Sequence, residues 1–202
     1  MKAIKMIGLA ALMALLAMAF VGASSATAET TSLCGADENP CSAANQLGSV
    51  HAESVGKAKM LTSVGTWECN VLFSGTIASK LANPLLISGS FTWTNCMLNK
   101  TICTVTEVNG PTEIELLKEG HETAKVTEYI FFHTVCGKII DCEYIGVGLK
   151  GTAKGPLLSP QETGEVTLTE QTLNKAAGGF LCPKTSKLDI TMTSLSAIYI
   201  SS

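Results

Sequence analysis

The sequence predicts an all-β fold, a single disulfide-stapled β-sandwich or alternatively a β-barrel, of about nine or ten short antiparallel strands. Apolar and polar residues alternate with a period of two, and turn-forming residues separate the alternating runs. No window after residue 28 holds the 3.6-residue apolar period of an amphipathic helix. Eight cysteines, an even number, all follow residue 28. Together these observations indicate a strand-rich domain with covalent cross-links.

The first 28 residues have the layout of a cleavable export signal. Lys2 and Lys5 precede an uninterrupted apolar run over residues 6–21, and Ala26-Thr27-Ala28 forms an A-x-A cleavage site. A spanning helix needs about 20 apolar residues, and this run is shorter. Cys34 lies too far downstream to be a lipidated cysteine. We therefore expect a signal peptide over 1–28 and a secreted, extracellular or cell-envelope protein with no membrane insertion after cleavage.

The mature chain is expected to comprise a polar segment over 29–60, which contains a Cys34–Cys41 loop, and a β-rich domain over 61–202. Asn83-Pro84 and Asn109-Gly110-Pro111 are strong turn signals. The second half of the run over 123–135 is apolar on both faces, which is typical of a central or covered strand. Strands are predicted at 67–73, 76–81, 85–95, 104–108, 112–118, 123–135, 143–152, 165–173, 187–193 and 197–200.

The cysteines predict a disulfide framework, because exported thiols mature in an oxidising compartment. Short spacings favour three local bridges, Cys34–Cys41, Cys96–Cys103 and Cys136–Cys142, and leave Cys69 and Cys182 to pair at long range. Zinc sites prefer C-x2-C spacing, which is absent here. No metal site and no cofactor are therefore expected.

The charge balance excludes several classes of partner. Loss of Lys2 and Lys5 with the leader leaves 12 lysines against 17 acidic residues, and the chain contains no arginine. Nucleic-acid binding depends on clustered Lys and Arg. We expect binding neither to nucleic acid nor to anionic lipid, and the partner, which could be a cell-wall or extracellular polymer or a protein, is undetermined.

No catalytic constellation stands out from the sequence. A hydrolase could combine His121 or His133 with Asp141, but no G-x-S-x-G or H-E-x-x-H motif occurs. His121 is expected in a solvated turn, and His133 on a partly buried strand. His51 is the third histidine of the chain.

Clustered carboxylates and aromatic residues also have ordinary structural interpretations. Acidic residues near a predicted hairpin tip could serve a glycosidase, but they are more simply a charged strand edge; they are Glu113, Glu115, Glu119 and Glu122. Four aromatic residues could stack on sugars, although alternation places both tryptophans in the core; they are Trp67, Trp93, Tyr129 and Tyr144.

Several stretches together resemble a family of uncharacterised secreted proteins of soil actinobacteria. The stretches are Leu33-Cys34 with Cys41-Ser42-Ala43-Ala44-Asn45, Gly120-His121-Glu122-Thr123-Ala124-Lys125-Val126, residues 148–158, and Gly179-Phe180-Leu181-Cys182-Pro183-Lys184. The resemblance implies bacterial origin and export, and it carries over no activity and no site residues.

Three functions remain open at this point. The favoured one is a non-enzymatic binding or structural β-domain outside the cell. The alternatives are a secreted hydrolase that uses His133 or His121 with nearby carboxylates, and a protease inhibitor that presents a Cys96–Cys103 loop with Lys100 exposed.

Overall fold

The computed structural model describes residues 29–108, 110–156 and 163–202, so the predicted export signal lies outside the described residues. The described chain contains strands and no helix, which confirms the all-β class. The strands are β1 (Ser32–Cys34), β2 (Ser49–Ser54), β3 (Ala58–Thr62), β4 (Gly65–Ile77), β5 (Leu85–Leu98), β6 (Thr101–Glu107), β7 (Thr112–Gly120), β8 (Thr123–Cys136), β9 (Ile140–Lys154), β10 (Thr163–Gly178), β11 (Thr185–Ala197) and β12 (Tyr199–Ser201).

Ten of these strands close into a barrel with eight positions, so the barrel alternative is the architecture that the structure has. β2 and β3 lie end to end between β4 and β11, and β6 and β7 lie end to end between β5 and β8. β4 also pairs with β5, and β8, β9, β10 and β11 pair in sequence order. Every pair is antiparallel, and each position neighbours the next along the chain. The fold is thus an up-and-down barrel.

The strands β1 and β12 form a separate two-stranded sheet that lies across one end of the barrel. Ser32 pairs with Ser201, and Cys34 pairs with Tyr199. The segment 29–60, which the sequence analysis separated from the β-rich domain, therefore supplies β1, β2 and most of β3 to one structure. We call this end of the barrel the cavity end.

The opposite end carries the four turns at 62–65, 98–101, 136–140 and 178–185, and we call it the disulfide end. Three of the four disulfides lie near it: Cys69–Cys96, Cys103–Cys136 and Cys142–Cys182. Cys34–Cys41 closes the loop behind β1 at the cavity end, as predicted. The described chain has no free cysteine.

The other three predicted pairings are wrong, and the barrel explains why. Cys69, Cys96, Cys103 and Cys136 all point inward and lie side by side on β4, β5, β6 and β8. A Cys96–Cys103 bridge would leave Cys69 and Cys136 unpaired. These two would lie about 14 Å apart, across three strand spacings, which is too far for a disulfide. In the structure Cys69 pairs with Cys96 and Cys103 pairs with Cys136, so all four are bridged, with Cα–Cα distances of 4.1 and 4.2 Å.

Cys142 and Cys182 form the last bridge, which rules out Cys136–Cys142 and Cys69–Cys182. Cys182 lies in the turn after β10, and its Cα lies 5.6 Å from that of Cys142 near the start of β9. Proximity in the fold therefore overrides proximity in the sequence. Four bridges are typical of a protein that matures in an oxidising compartment.

Aromatic side chains fill the interior of the disulfide end. Trp67 and Tyr144 meet edge to face with ring centroids 6.5 Å apart, and Phe132 lies 6.1 Å from Tyr144 and 5.6 Å from Trp93. Trp67 is thus buried in the core, as predicted, and Tyr144 joins it, whereas Trp93 is partly buried and packs against the core. The Tyr144 hydroxyl donates a hydrogen bond to the Pro183 carbonyl at 3.2 Å. This half of the interior is closed by packing.

Two inward-facing glycines leave room for an aromatic ring where β4 and β5 pair. Gly75 and Gly89 are direct partners across the two strands. A Cβ on Gly89 would lie 2.4 Å from the Ser74 carbonyl oxygen and 2.6 Å from Cζ of Phe73. The Phe73 ring therefore occupies space that any larger residue at position 89 would claim.

Candidate functional site

A cavity of about 80 Å³ lies inside the barrel at the cavity end. Its wall is almost entirely apolar and is formed by inward residues of eight strands together with the cap. Leu33 of β1 and Ile200 of β12 cover it from above. The side walls include Val50, Ala52, Phe73, Ile87, Phe91, Ile114, Leu116, Ala153, Val166, Leu168, Ile190 and Met192.

One buried carboxyl group interrupts this apolar wall, whereas the other charged residues along it, Lys154 and Glu165, are not buried. Glu128 of β8 is 2 % exposed and lines the cavity. Burial, with a smaller contribution from the negative charge of Glu107, raises the pKa of the Glu128 carboxyl to about 8. No hydrogen bond from the described residues offsets this rise. Below about pH 8, Glu128 is therefore a neutral acid that can both donate and accept a hydrogen bond.

Glu107 is the second interior carboxylate, and its own contacts are satisfied. Glu107 is the last residue of β6. Along β5 the paired strand changes from β6 to β7, so the backbone hydrogen bonds between the strands are interrupted at this level. The Phe91 backbone N–H donates to Glu107 Oε1 at 2.7 Å, and the Thr112 hydroxyl donates to the same oxygen at 3.1 Å. Burial raises the pKa of Glu107 in spite of these two hydrogen bonds. Glu107 thus replaces a missing strand partner.

Glu128 was not predicted from the sequence, although a signal was present. On the predicted strand over 123–135, residues 124, 126, 130 and 132 were assigned to one apolar face. Glu128 occupies the inward position between Val126 and Ile130 on that face. A single Glu among inward apolar residues is a buried polar residue, which is the informative exception in a core. The nearness of Glu107 to Glu128 could not have been predicted without knowledge of the barrel closure.

A third carboxylate holds the cap of the cavity in place. Glu122 lies in the turn between β7 and β8, and its Oε2 accepts a hydrogen bond from the Ile200 backbone N–H at 2.8 Å. Burial raises the pKa of Glu122. The cap is held further by the Lys118 N–H, which donates to Thr31 Oγ1 at 2.9 Å, and by backbone hydrogen bonds between Thr31 and Ala82.

The predicted hydrolase pair does come together, but on the outer face of the barrel. His133 Nε2 lies 2.6 Å from Asp141 Oδ1, across β8 and β9. No hydroxyl of the described residues forms a hydrogen bond with His133, and the pair does not line the interior cavity. His121 lies exposed in the turn before Glu122, and His51 contacts the Ser74 hydroxyl on the outside. The geometry supplies a base and its orienting acid without a nucleophile.

The remaining candidate residues are distributed over the surface. Glu113 and Glu115 face outward on β7, and Glu119 pairs with Lys125. Tyr129 is exposed on the outer face, apart from the other aromatic residues of the predicted platform.

The predicted inhibitor loop takes another form, and the loop behind β1 holds its two cysteines as a disulfide. Lys100 lies at the tip of the β5–β6 hairpin, and the loop from Cys96 to Cys103 is not closed by a bridge between its ends. Cys34, Glu38 and Cys41 lie close enough to share a metal ion, but both sulfurs belong to a disulfide and offer no thiolate.

The fold and the cavity define an eight-position antiparallel barrel with an apolar interior and one buried acid. No protein-family model, no curated protein and no solved structure matches the chain. No helix in the described ranges has the length and apolar character needed to cross a membrane.

Proposed function

We propose that the chain is an exported, non-enzymatic binding protein whose barrel holds a small apolar molecule with one neutral polar group, such as a hydroxyl or carbonyl. Eight-position barrels are wide enough to hold one small ligand. The observation that carries the proposal is the apolar cavity with Glu128 in its wall. A buried acid without a donor within the described residues leaves a hydrogen bond for an incoming molecule to complete.

The size and polarity of the cavity limit the ligand. An engineered cavity of about 150 Å³ binds benzene, so a cavity of about 80 Å³ holds only a few heavy atoms. The part of the ligand inside is thus a short alkyl group with its polar atom at Glu128. An ammonium ligand is disfavoured because ionising Glu128 and burying the resulting ion pair would cost desolvation free energy.

Export, a bacterial source and the family resemblance remain part of this proposal. Export is supported by the leader-like amino terminus and by the four disulfides, and a bacterial source is what the family resemblance implies.

Three methionines of the described chain make the test direct. Met192 lines the cavity, Met60 lies in the core of the disulfide end, and Met97 is exposed on β5. With 13C-methyl methionine, titration with C3–C6 alcohols and ketones should shift the Met192 signal and leave the other two unchanged. The corresponding alkylamines should produce a weaker response at neutral pH.

Two variants decide whether the cavity is the site. Ala153 is buried in the cavity wall, so Ala153→Leu should fill the space and remove the Met192 response. Glu113→Gln, on the outer face of β7, should leave that response intact. If no alcohol or ketone shifts Met192, or if the filled variant responds like the wild type, the proposed function is wrong.

A further inference from the structure

The four turns of the disulfide end form a continuous ring. The Asn99 amide donates to the Val64 carbonyl at 3.1 Å, which links the first two turns. The Cys103–Cys136 bridge links the second turn to the third, and the Cys142–Cys182 bridge links the third to the fourth. β3 pairs with β11 and closes the circuit. We call this set of turns the turn ring.

Three turns of the ring each expose an apolar side chain to solvent, and Ile102 follows the remaining turn, 98–101, at the start of β6. Val64 is 38 % exposed, Ile102 78 %, Ile139 74 % and Phe180 95 %. A single exposed apolar residue is ordinary, but four in or directly beside linked turns at one end of a barrel are a grouped feature. None of the four contributes to the core described above, so folding does not explain their presence.

The turn ring is basic although the chain as a whole is acidic. Lys100, Lys138 and Lys184 are exposed on three of the four turns, and the turns themselves contain no Asp or Glu. The acidic residue that directly follows the third turn, Asp141, lies 2.6 Å from His133. The formal charge of the whole chain is −3. The acidic residues of the turns lie instead at the cavity end, where the loop behind β1 carries Asp37 and Glu38. The chain was not expected to bind anionic lipid on the basis of its net charge, which alone does not show how charge is distributed over the surface.

The ring is also held rigidly, since three of the disulfides join the strands beneath it. The apolar tips are therefore presented in fixed positions, and little conformational entropy is lost when they are ordered against a partner.

We propose that the turn ring is a peripheral docking surface for an anionic lipid bilayer. The four apolar tips enter the interfacial region, and the three lysines lie at the level of the headgroup phosphates. Charge selects this occupant over a second copy of the chain, because a two-fold contact through the ring would place like charges opposite each other.

Vesicle co-sedimentation tests the proposal. The full mature chain is mixed with vesicles of phosphatidylcholine alone or of phosphatidylcholine with phosphatidylglycerol. We expect binding only to the anionic vesicles, with affinity that falls as salt is raised. Combined Ile139→Ser and Phe180→Ser should abolish it, and combined Lys138→Glu and Lys184→Glu should weaken it at least about tenfold, since each basic residue near the surface contributes separately.

Matched control variants lie away from the ring. Leu81 is 47 % exposed in the turn at the cavity end, and Lys150 is exposed on the side of β9. Leu81→Ser and Lys150→Glu should bind anionic vesicles like the wild type. Unchanged Met60 and Met192 methyl signals would show that every variant keeps its fold.

The proposal is wrong if the wild type fails to bind anionic vesicles, or if both ring variants bind as well as the controls. It is also wrong if sedimentation velocity shows a dimer that Phe180→Ser dissociates while vesicle binding is absent. In that case the ring is a contact between copies of the chain.

Discussion

Replacement of Glu128 by Gln should change the pH dependence of stability more than any other single substitution considered for this protein. Glutamine has the shape of the protonated acid and cannot ionise. The pKa of Glu128 is about 8 in the folded chain, against 4.5 for an exposed Glu. Folding therefore favours the protonated form. The unfolding free energy therefore has its full value below pH 4.5, where Glu128 is protonated in both states. It falls as pH rises toward 8, because the unfolded chain ionises Glu128 first.

The size of the loss follows from the two pKa values. Each pKa unit corresponds to about 1.4 kcal/mol, so the span from 4.5 to about 8 amounts to about 5 kcal/mol of unfolding free energy. Roughly half of this loss has accumulated by about pH 6.5. Glu128→Gln removes the loss, so the variant should match the wild type at pH 4 and exceed it by about 5 kcal/mol at pH 9.

Urea unfolding at pH 4, 6.5 and 9 with intact disulfides measures this difference. Glu107 and Glu122 also have raised pKa values, so the slope of the wild type alone does not isolate Glu128. The difference between wild type and Glu128→Gln does isolate it. Glu113→Gln, on the exposed face of β7, serves as the control and should show no pH-dependent gain. An equal gain for Glu128→Gln at pH 4 and pH 9 would refute the assigned burial of this carboxyl.

Three further predictions concern the covalent framework and the packing. Removal of one bridge by combined Cys103→Ala and Cys136→Ala should cost about 4 kcal/mol in urea unfolding, since the bridge closes a loop with a sequence separation of 33; a loss below about 1 kcal/mol would contradict this. The Trp67 Nε1 lies 2.9 Å from the Cys136 sulfur, so the same variant should show stronger tryptophan emission, and added Trp67→Phe should remove the gain. Gly89→Ala should destabilise the fold by about 1–3 kcal/mol, because its Cβ meets the Ser74 carbonyl oxygen, and a neutral result by thermal unfolding would disprove that contact.

Most strands from β4 onward could be predicted because their inward and outward residues alternate clearly. The strand predicted at 76–81 is wrong, since β4 continues to Ile77 and residues 78–84 connect β4 to β5. The predicted strand over 123–135 corresponds to β8, and the one over 85–95 corresponds to the first part of β5. β2 was missed for a physical reason. None of its residues is buried, so alternation in Ser49–Ser54 is weak, and its place is decided by pairing with β4 and β11.

The disulfide pairing and the cavity could not be derived in the same way. Each depends on which strands become neighbours when the sheet closes, and the spacing of cysteines along the chain carries no such information. Cys69 and Cys96 are 27 residues apart, yet their Cα atoms lie 4.1 Å from each other because β4 and β5 are adjacent. The position of Glu128 on an inward face was within reach of the pattern, whereas its isolation from donors was not.

The pairing of Ser32 with Ser201 determines where anything joined to the barrel must emerge. A tag, linker or further domain placed before Glu29 or after Ser202 leaves the molecule above Leu33 and Ile200, beside the mouth of the ligand cavity. It projects away from Phe180 and the other tips at the far end. A fusion partner at either terminus could thus obstruct the proposed entry of a small molecule while leaving the proposed contact with a bilayer free.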